Sequence, residues 1–406
     1  MNKIISVNIL SCVFMFNLCA QELIEFSMGP GYQYDIYYSL SDGLVAYPER
    51  DNWELAFSTN PDDKNIRINS GNSVTLFQVS DNIDDWDQIS LNSSNDIQLR
   101  NSNISWDIGA FTSNVTGELN YGWGDYNIKD QIIEGTCIYI INYGNSIKKI
   151  KINSLSDGVF NFTVANIDGS DEETQNINTG LYDDKKFIYY SLENMEIIDR
   201  EPASENWDIV FTKYEVDLNK ELGGGEMFYN VTGALTNNNF VYQNDEFLDV
   251  NPVFELSDMS NSIGVIGWDW KEYGGGGYSI IPNRSYFILN QNKTVLYKIV
   301  FQTFSGGSSG NCSFLVEQVD YNPSSLDANS VSDVNLYPNP NNGNFYITTT
   351  CQNNMTLKLR DYNGQILLIQ NITSAKNVHI TDLKKGLYFI NLESDQLNIN
   401  KKVIVK

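Results

Sequence analysis

Histidine is almost absent from this chain, and its scarcity limits the chemistry that the sequence can support. The single histidine, His379, lies far along the chain from GGSSG (306–310), a segment that formally presents Ser308 as a nucleophile. A nucleophilic serine or cysteine needs a neighbouring base, so we interpret GGSSG as a hairpin loop. The same scarcity removes the HExxH motif and most zinc sites. The sequence therefore predicts no catalytic residue.

Two acidic runs could bind calcium, because calcium needs only oxygen ligands. They are DNIDDWD (81–87) and DGSDEE (168–173), and neither has the spacing of a known calcium loop. The calcium candidates within them are Asp81, Asp84, Asp85, Asp168 and Asp171. Solvated turns are the alternative interpretation of both runs.

Several aromatic residues flank glycine-rich turns, where they would be exposed near loop tips. YGWGDY (121–126) and WDWKEYGGGGY (268–278) are the two such segments. The candidate ligand contacts, for a sugar ring or a heme, are Trp106, Trp123, Trp268, Trp270 and Tyr273. Core packing is the alternative role for these side chains. Glycoside hydrolysis needs only two carboxylates, which this acidic chain has in excess, so a carbohydrate-active module stays open.

The charge is unevenly distributed between the two parts of the chain. Residues 21–330 hold 17 basic and 46 acidic residues, whereas residues 331–406 hold 8 basic and 5 acidic residues. The strong negative charge of residues 21–330 repels phosphate backbones, so we expect no nucleic-acid partner. The glycine runs at 223–225 and 274–277 lack the lysine and hydroxyl residue of a phosphate-binding loop.

Residues 1–20 have the pattern of a secretory signal peptide. Lys3 precedes a short apolar run from Ile4 to Phe16, and Ala20 offers a small residue for cleavage. The run is too short to cross a bilayer, and no later segment is long and apolar enough to do so. Of five cysteines, three lie beyond the signal, namely Cys137, Cys312 and Cys351, and they are interpreted as buried small residues.

The elements that would position these residues are predicted to be strands. Runs such as CIYIINY (137–143) and TVLYKIVFQTF (294–304) are rich in β-branched and aromatic residues with a period of two. Turn signals separate them at short intervals. The predicted fold is all-β: two tandem duplicated antiparallel β domains followed by a small C-terminal β-sandwich.

The duplication rests on phrases that return in the same order. DNWELAF (51–57) returns as ENWDIVF (205–211), and DIYYSLSDG (35–43) returns as FIYYSLENM (187–195). Matches at nearly one offset are typical of a tandem repeat. In each phrase we expect the tryptophan to face its own core and the carboxylate to face solvent. The predicted boundaries are 1–20 for the signal, 21–175 and 176–322 for the two copies, 323–332 for a linker and 333–406 for the last domain.

The tail carries the most specific motifs. LYPNPNNGNFYI (336–347), LRDYNGQIL (359–367), ITDLKKGLYFINL (380–392) and KKVIVK (401–406) follow one another. Over residues 331–406 the tail closely resembles the C-terminal sorting domain of proteins exported by the type IX secretion system of Bacteroidetes. That resemblance implies folding in the periplasm, the secretion machinery as partner, and release or attachment at the outer-membrane surface.

The duplicated part resembles the HmuY-like family of secreted heme-binding β proteins. ENWDIVF, YSIIPNRSYFIL and VLYKIVFQTF carry the resemblance in the second copy. Ligation of heme by two histidines is excluded, because His379 lies in the tail. The resemblance implies methionine as the other possible heme ligand, and Met227 and Met259 are the candidates. Packing in the hydrophobic core is the alternative role for both side chains.

We therefore expect a secreted or surface-exposed, non-enzymatic binding protein, with heme and calcium as the cofactors to test. The alternatives are a structural or adhesive surface protein and a carbohydrate-binding or carbohydrate-active module. A small molecule or glycan would be the ligand. Because the repeated phrases mark shared scaffold, function is expected where the copies differ, above all in residues 215–277.

Overall fold

The computed structural model divides the chain into two compact units, Met1–Tyr321 and Asn322–Lys406. The residues that it describes are 21–91, 97–117, 119–218, 226–246, 252, 254, 256–319, 334–337, 341–349, 355–361, 365–372, 378–394 and 397–406. The predicted signal peptide and the predicted linker 323–332 lie outside these ranges. Within them, no helix is long and apolar enough to span a membrane.

The prediction of an all-β fold is confirmed, since every helix in the described ranges is a short 3₁₀ helix. The strands of the first unit are β1 (Glu22–Ser27), β2 (Ile36–Ser39), β3 (Gly43–Ala46), β4 (Leu55–Ser58), β5 (Ile66–Ile68), β6 (Thr75–Ser80), β7 (Ile97–Leu99), β8 (Gly124–Asn127), β9 (Ile132–Gly135), β10 (Ile138–Tyr143), β11 (Ser146–Ser156), β12 (Val159–Asn166), β13 (Glu173–Asn178), β14 (Phe187–Ser191), β15 (Glu196–Ile198), β16 (Ile209–Asp217), β17 (Phe228–Thr236), β18 (Phe240–Asn244), β19 (Lys271–Gly274), β20 (Gly277–Ile280), β21 (Ser285–Leu289), β22 (Leu296–Phe304) and β23 (Asn311–Val319). The 3₁₀ helices are Ser70–Asn72, Ile83–Gln88, Ala110–Thr112, Thr179–Tyr182, Ser204–Asn206, Leu256–Asp258 and Gly306–Ser308.

The sheets of the first unit group into two halves. In the first half, the sheet β13-β12-β11-β10-β6-β7, extended by β8 and β9, shares a core with the sheet β15-β14-β4-β5. In the second half, the sheet β1-β23-β22-β21-β18 shares a core with the sheet β17-β16-β2-β3. The hairpin of β19 and β20 forms a separate two-stranded sheet. All strand pairs are antiparallel, as the period-two runs lead one to expect.

The N-terminal segment belongs to the second half. Strand β1 pairs with β23, from Glu22 opposite Val316 to Ser27 opposite Asn311. Strand β2 pairs with β16, with Tyr38 opposite Ile209. The halves are therefore residues 51–200, and residues 201–319 together with 21–50. The boundary that the sequence predicts at 175/176 falls inside β13, and the duplication itself stays a prediction.

The two repeated phrases take corresponding positions, but their side chains differ from the expectation. Leu55 and Phe57 enter the core of the first half, as predicted, since they alternate along β4. Trp53 precedes the strand and instead packs edge-on against Tyr189, with ring centroids 4.8 Å apart. Trp207 does the same with Tyr37 at 5.1 Å. The expectation that each tryptophan faces its own core was wrong, because the alternation does not extend past the strand end.

The carboxylates of the repeated phrases are caps rather than solvent-facing groups. Glu54 is 4% exposed and accepts a hydrogen bond from the Leu192 amide at 2.6 Å. Asp208 accepts one from the Leu40 amide at 2.8 Å. Each acid thus binds the amide that ends the YYSL strand beside it. The expectation that these carboxylates face solvent was wrong, because a buried amide at a strand end needs an acceptor.

The two halves meet through side chains that include the tyrosines of both YYSL strands. The hydroxyl groups of Tyr37 and Tyr189 are 3.5 Å apart. Beside them, Arg200 forms a buried ion pair with Asp35 at 2.7 Å. A cavity of about 70 Å³ lies at this junction. Polar side-chain atoms there without a protein partner, such as Oδ1 of Asp35, indicate room for bound water.

The second unit is a small β-sandwich, as predicted. Its strands are β24 (Val334–Tyr337), β25 (Phe345–Thr349), β26 (Met355–Asp361), β27 (Ile366–Ile372), β28 (Val378–Ile380), β29 (Gly386–Ser394) and β30 (Leu397–Val405). The sheets β24-β25-β28 and β27-β26-β29-β30 share one core that includes Phe345, Leu357 and Ile390. The expected Asn-Gly turn at 363–364 lies outside the described residues.

Candidate functional site

A cavity of about 710 Å³, called the aromatic cavity below, opens on the second half of the first unit. Strands β16 and β17, the β19–β20 hairpin and Tyr32 from the N-terminal segment form its walls. Five aromatic side chains are exposed in the described part of residues 21–319, and four of them line this cavity. These four are Tyr229, Trp268, Tyr273 and Tyr278. Exposed aromatic rings gathered on one concave surface indicate a binding site.

The β19–β20 hairpin carries two of these rings. Tyr273 and Tyr278 are directly opposite each other, with ring centroids 5.2 Å apart. The turn between the strands needs positive φ angles, 60° at Gly275 and 88° at Gly276. Glycine accepts this conformation without strain, which explains the glycine run in the sequence. The turn residues place the paired rings on the cavity wall.

Tyr32 reaches the cavity from the other end of the chain. Its φ of 61° is unusual for a residue with a side chain and costs free energy on the order of 1 kcal/mol. The amide of Gly31 donates to the Gly307 carbonyl at 2.8 Å and holds this turn. Burial is the main cause that raises the pKa of Tyr32 to about 12, so the hydroxyl stays protonated. Backbone strain of this kind is often found at binding sites.

The GGSSG segment supports these rings and does not form a nucleophile elbow. A Cβ atom at Gly306 would lie 3.0 Å from the ring of Tyr278, and one at Gly307 would lie 3.5 Å from Tyr32. The hydroxyl of Ser308 donates to the Ser305 carbonyl at 3.3 Å. The predicted hairpin loop is therefore present between β22 and β23, and its glycines leave room for the aromatic side chains.

A buried lysine, Lys271, is among the residues that line the cavity. The ammonium of Lys271 donates to the carbonyls of Thr232 at 2.6 Å and Trp268 at 3.1 Å. It also lies 3.9 Å from the ring centre of Trp270. Burial lowers the pKa of Lys271 to about 7. The side chain thereby ties β17 to the segment that carries Trp268.

Two carboxylates and one further lysine complete the charged lining. Asp269 is paired with Arg284 at 2.9 Å, and Glu272 lies on the exposed hairpin. Lys213 stands on β16 opposite Thr232 and lines the cavity. Burial, followed by the nearby charge of Arg50, lowers the pKa of Lys213.

The five aromatic candidates are dispersed. Trp268, 37% exposed, and Tyr273, 70% exposed, line the cavity. Trp270 is buried and stacks on Phe301 at 3.8 Å, so it packs in the core. Trp123 is fully buried in the first half, where its indole donates to the Lys64 carbonyl at 3.0 Å. Core packing, the alternative interpretation, describes these last two side chains.

Trp106, the fifth aromatic candidate, lies between the two halves. Its indole donates to the Thr236 carbonyl at 2.8 Å. Its ring packs against Phe187 and Trp207, with centroids 6.0 and 6.3 Å away. The guanidinium of Arg67 lies 5.1 Å from the ring centre. This side chain joins the halves and does not line the aromatic cavity.

The methionine candidates lie in unlike surroundings. Met227 is 48% exposed just before β17, and its amide donates to the Asp217 side chain at 2.9 Å. Met259 is 8% exposed and packs in an apolar cluster with Phe287 and Leu289. Within the described residues, neither lines the aromatic cavity. Ligation of heme by these two residues stays a prediction.

The acidic candidates for calcium are engaged in turns. The Asp85 carboxylate accepts hydrogen bonds from the Ser80 hydroxyl at 2.8 Å and the Asn82 amide at 3.3 Å. Asp171 accepts from Asn166 at 2.8 Å, and Asp168 accepts from the Ser170 hydroxyl at 2.7 Å. Across the described ranges, no group of three or more metal-binding side chains is present. For Asp81 and Asp84, as for the others, calcium binding stays a prediction.

The described cysteines are free and buried, in agreement with the sequence interpretation. Cys137 and Cys312 form no disulfide. Burial raises the pKa of the Cys312 thiol to about 12, which makes it a poor nucleophile. Cys351 lies outside the described residues.

Most residues of the cavity lining were not among the predicted ligand contacts, and Tyr32, Lys213, Tyr229 and Tyr278 are four of them. Tyr278 stands in the glycine-rich segment that drew attention to Tyr273, so this signal was available. Tyr32 gave no such signal, because it reaches the cavity only through the pairing of β1 and β2 with distant strands.

Comparison with known proteins identifies the tail. Residues 335–406 match the family described as the secretion system C-terminal sorting domain. This segment is a type IX sorting domain, as the resemblance of its motifs implied. The protein is accordingly exported to the cell surface or the medium, with the type IX secretion machinery as its partner.

The remaining comparisons do not identify the first unit. No curated protein matches the chain. A solved structure described as a polysaccharide lyase is similar over 88% of this chain, at 9% sequence identity and a TM-score of 0.19. The match covers 40% of the lyase chain. At that TM-score the similarity carries no argument about fold or function.

Proposed function

We propose that this protein is an exported, non-enzymatic binding protein that holds a saccharide in the aromatic cavity. The observation that carries the proposal is that, of the five aromatic rings exposed in the described part of residues 21–319, four gather on one concave surface. A sugar ring presents an apolar C–H face and polar edges. Aromatic faces suit the first, and the hydroxyl, amide and charged groups of the lining suit the second.

The size and the wall structure of the cavity agree with such a ligand. A volume of about 710 Å³ falls in the range of small-ligand sites. Three of the four rings come from residues 268–278. Tyr229 comes from β17 and faces the same cavity. These elements fall within or beside the segment 215–277 in which the sequence predicts that function resides.

Heme is the other ligand that the sequence predicts. The HmuY-like resemblance implies it, with Met227 and Met259 as ligands. Because neither methionine is among the described residues that line the aromatic cavity, the geometry supports a saccharide better. A structural or adhesive role without a small ligand is the remaining alternative.

Affinity electrophoresis of the mature chain (residues 21–406) through gels that contain polysaccharides tests the proposal. We expect retardation by at least one polysaccharide, without release of reducing ends. Trp268→Ala combined with Tyr273→Ala should weaken binding about thirtyfold, because each stacked ring contributes roughly 1 kcal/mol. Tyr47→Ala is the matched control, since Tyr47 is 63% exposed outside the cavity.

The same protein preparation separates the alternatives. Retardation that survives the double substitution would show that sugars bind elsewhere and would refute the proposed site. A Soret shift on addition of hemin, lost in Met227→Ala with Met259→Ala, would favour heme. Absence of both signals would favour the structural or adhesive role.

A further inference from the structure

Two basic residues, Arg50 and Lys213, lie at the aromatic cavity, and no carboxylate of the described residues forms an ion pair with either. Arg50 is 6% exposed, and its Nε–H donates to the Tyr32 carbonyl at 2.8 Å. Its Nη1 is buried without a hydrogen-bond partner. Among the described residues, Arg50 forms no ion pair. A buried guanidinium without a carboxylate is unusual, because desolvation of a charge is costly unless a partner repays it.

Lys213 adds a second cation close to the first. It lines the cavity, and the charge of Arg50 acts on it strongly enough to contribute to its lowered pKa. No described carboxylate forms an ion pair with Lys213 either. Lys213 is thus a basic residue on the lining of the aromatic cavity, and Arg50 is hydrogen-bonded to the backbone of Tyr32, which lines the same cavity.

This arrangement is unexpected in a chain with a formal net charge of −25. Carboxylates are abundant enough to neutralise two cations at little cost. Of the two carboxylates on the cavity lining, Asp269 is paired with Arg284 and Glu272 lies on the exposed hairpin. Unpaired positive charge beside a cavity in an acidic protein points to an anion supplied by the ligand.

A cavity of the first half shows the opposite lining. It measures about 380 Å³ and is lined by Tyr121 and Tyr126, by three acidic residues, Asp62, Asp63 and Asp157, and by a single lysine, Lys64. Burial raises the pKa of Asp63 to about 6, so this carboxyl group is largely ionised at neutral pH. An anionic ligand would be repelled there.

We propose that the aromatic cavity of the second half takes an acidic saccharide, whose carboxylate or sulfate group binds Lys213 with Arg50 behind it. The inference rests on the proposed function and narrows its ligand class. The aromatic rings would stack on the sugar rings, and the cations would select the charged substituent. The acidic cavity of the first half would not compete for the same ligand.

Binding of three polysaccharide classes to the mature chain tests this inference. The probes are polygalacturonate for carboxylates, carrageenan for sulfates and laminarin as a neutral glucan. We expect one acidic class to bind at least tenfold more tightly than laminarin. Lys213→Gln should weaken acidic binding about tenfold, because a hydrogen bond to a charged group is lost, whereas Lys213→Arg should retain most of it. Lys129→Gln, at an exposed lysine of the first half, is the charge-matched control.

The outcomes distinguish this inference from the proposed function. Equal binding of laminarin and the acidic polymers, unaffected by Lys213→Gln but lost in Trp268→Ala with Tyr273→Ala, would overturn the inference and leave the saccharide site standing. A loss of acidic binding in Lys129→Gln as large as in Lys213→Gln would show that net charge alone acts, and would also overturn it. Failure to bind any of a broad polysaccharide panel would overturn both.

Discussion

Glu201 makes a specific prediction about how stability depends on pH. Its side chain is 3% exposed at the junction of the two halves. The Tyr189 hydroxyl donates to it at 2.7 Å and the Lys186 amide at 2.8 Å. These donors favour the ionised form, but burial outweighs them and raises the pKa of Glu201 from 4.5 to about 7. The adjacent Arg200 is occupied by Asp35.

The sign and size follow from the difference between the folded and unfolded pKa. Between about pH 4.5 and pH 7, the unfolded chain has lost this proton and the folded chain retains it. The contribution of Glu201 to the free energy of unfolding is therefore fully present below pH 4.5, decreases as the pH rises through this window and stays constant above pH 7. The total loss is about 3 kcal/mol, from roughly 1.4 kcal/mol per pKa unit.

Glu201→Gln isolates this contribution, because a neutral amide can accept from Lys186 and donate to the Tyr189 oxygen. We expect the variant and the wild type to have similar free energies of unfolding at pH 4.5. At pH 8 the variant should be more stable by about 3 kcal/mol. Urea denaturation followed by tryptophan fluorescence, at several pH values, measures the difference.

The control for this series is Glu205→Gln, which removes an exposed carboxylate in the neighbouring 3₁₀ helix Ser204–Asn206. Its difference from wild type should stay within about 0.5 kcal/mol at every pH. A Glu201→Gln difference that does not change with pH would refute the reasoning. So would a variant that is less stable than wild type at pH 8.

Two further substitutions test one contact between the halves and one contact within a half. Arg200→Met leaves Asp35 buried without its partner, so we expect the free energy of unfolding, measured by urea denaturation, to fall by about 3–5 kcal/mol. The double variant Arg200→Met/Asp35→Asn should recover part of this loss. Additive losses in the double variant would contradict the pairing. Glu54→Ala removes the acceptor of the Leu192 amide and should lower the free energy of unfolding by about 1–3 kcal/mol in the same assay. Asp208→Ala is the corresponding substitution in the other half. An unchanged stability in both variants would refute the capping role.

Local pattern was sufficient to predict the strands but not their partners. Alternating runs such as CIYIINY predict β10 because side chains on one face share a core. The same reasoning placed Leu55 and Phe57 correctly. It failed for Trp53 and Glu54, which precede β4, because alternation holds only where the chain is a strand.

The candidate site was predictable only where its residues lie in a recognisable local pattern. Trp268 and Tyr273 could be anticipated because glycine-rich turns tend to expose aromatic rings. Tyr32 and Arg50 could not, because they lie in an N-terminal segment that reaches the second half through long-range pairing. Periodicity contains no information about which of several equivalent strand edges a segment will join.

The pairing of Glu22 with Val316 also determines when the exported part can finish folding. Contacts between residues separated by about three hundred positions form slowly, because a long loop must close first. Until β23 arrives, the edge of β1 is open and can pair with the wrong chain. The first strand to emerge thus needs the last strand of its unit, which precedes the predicted linker and the sorting tail in the sequence. Completion of the fold is thereby coupled to the synthesis of nearly the entire exported chain.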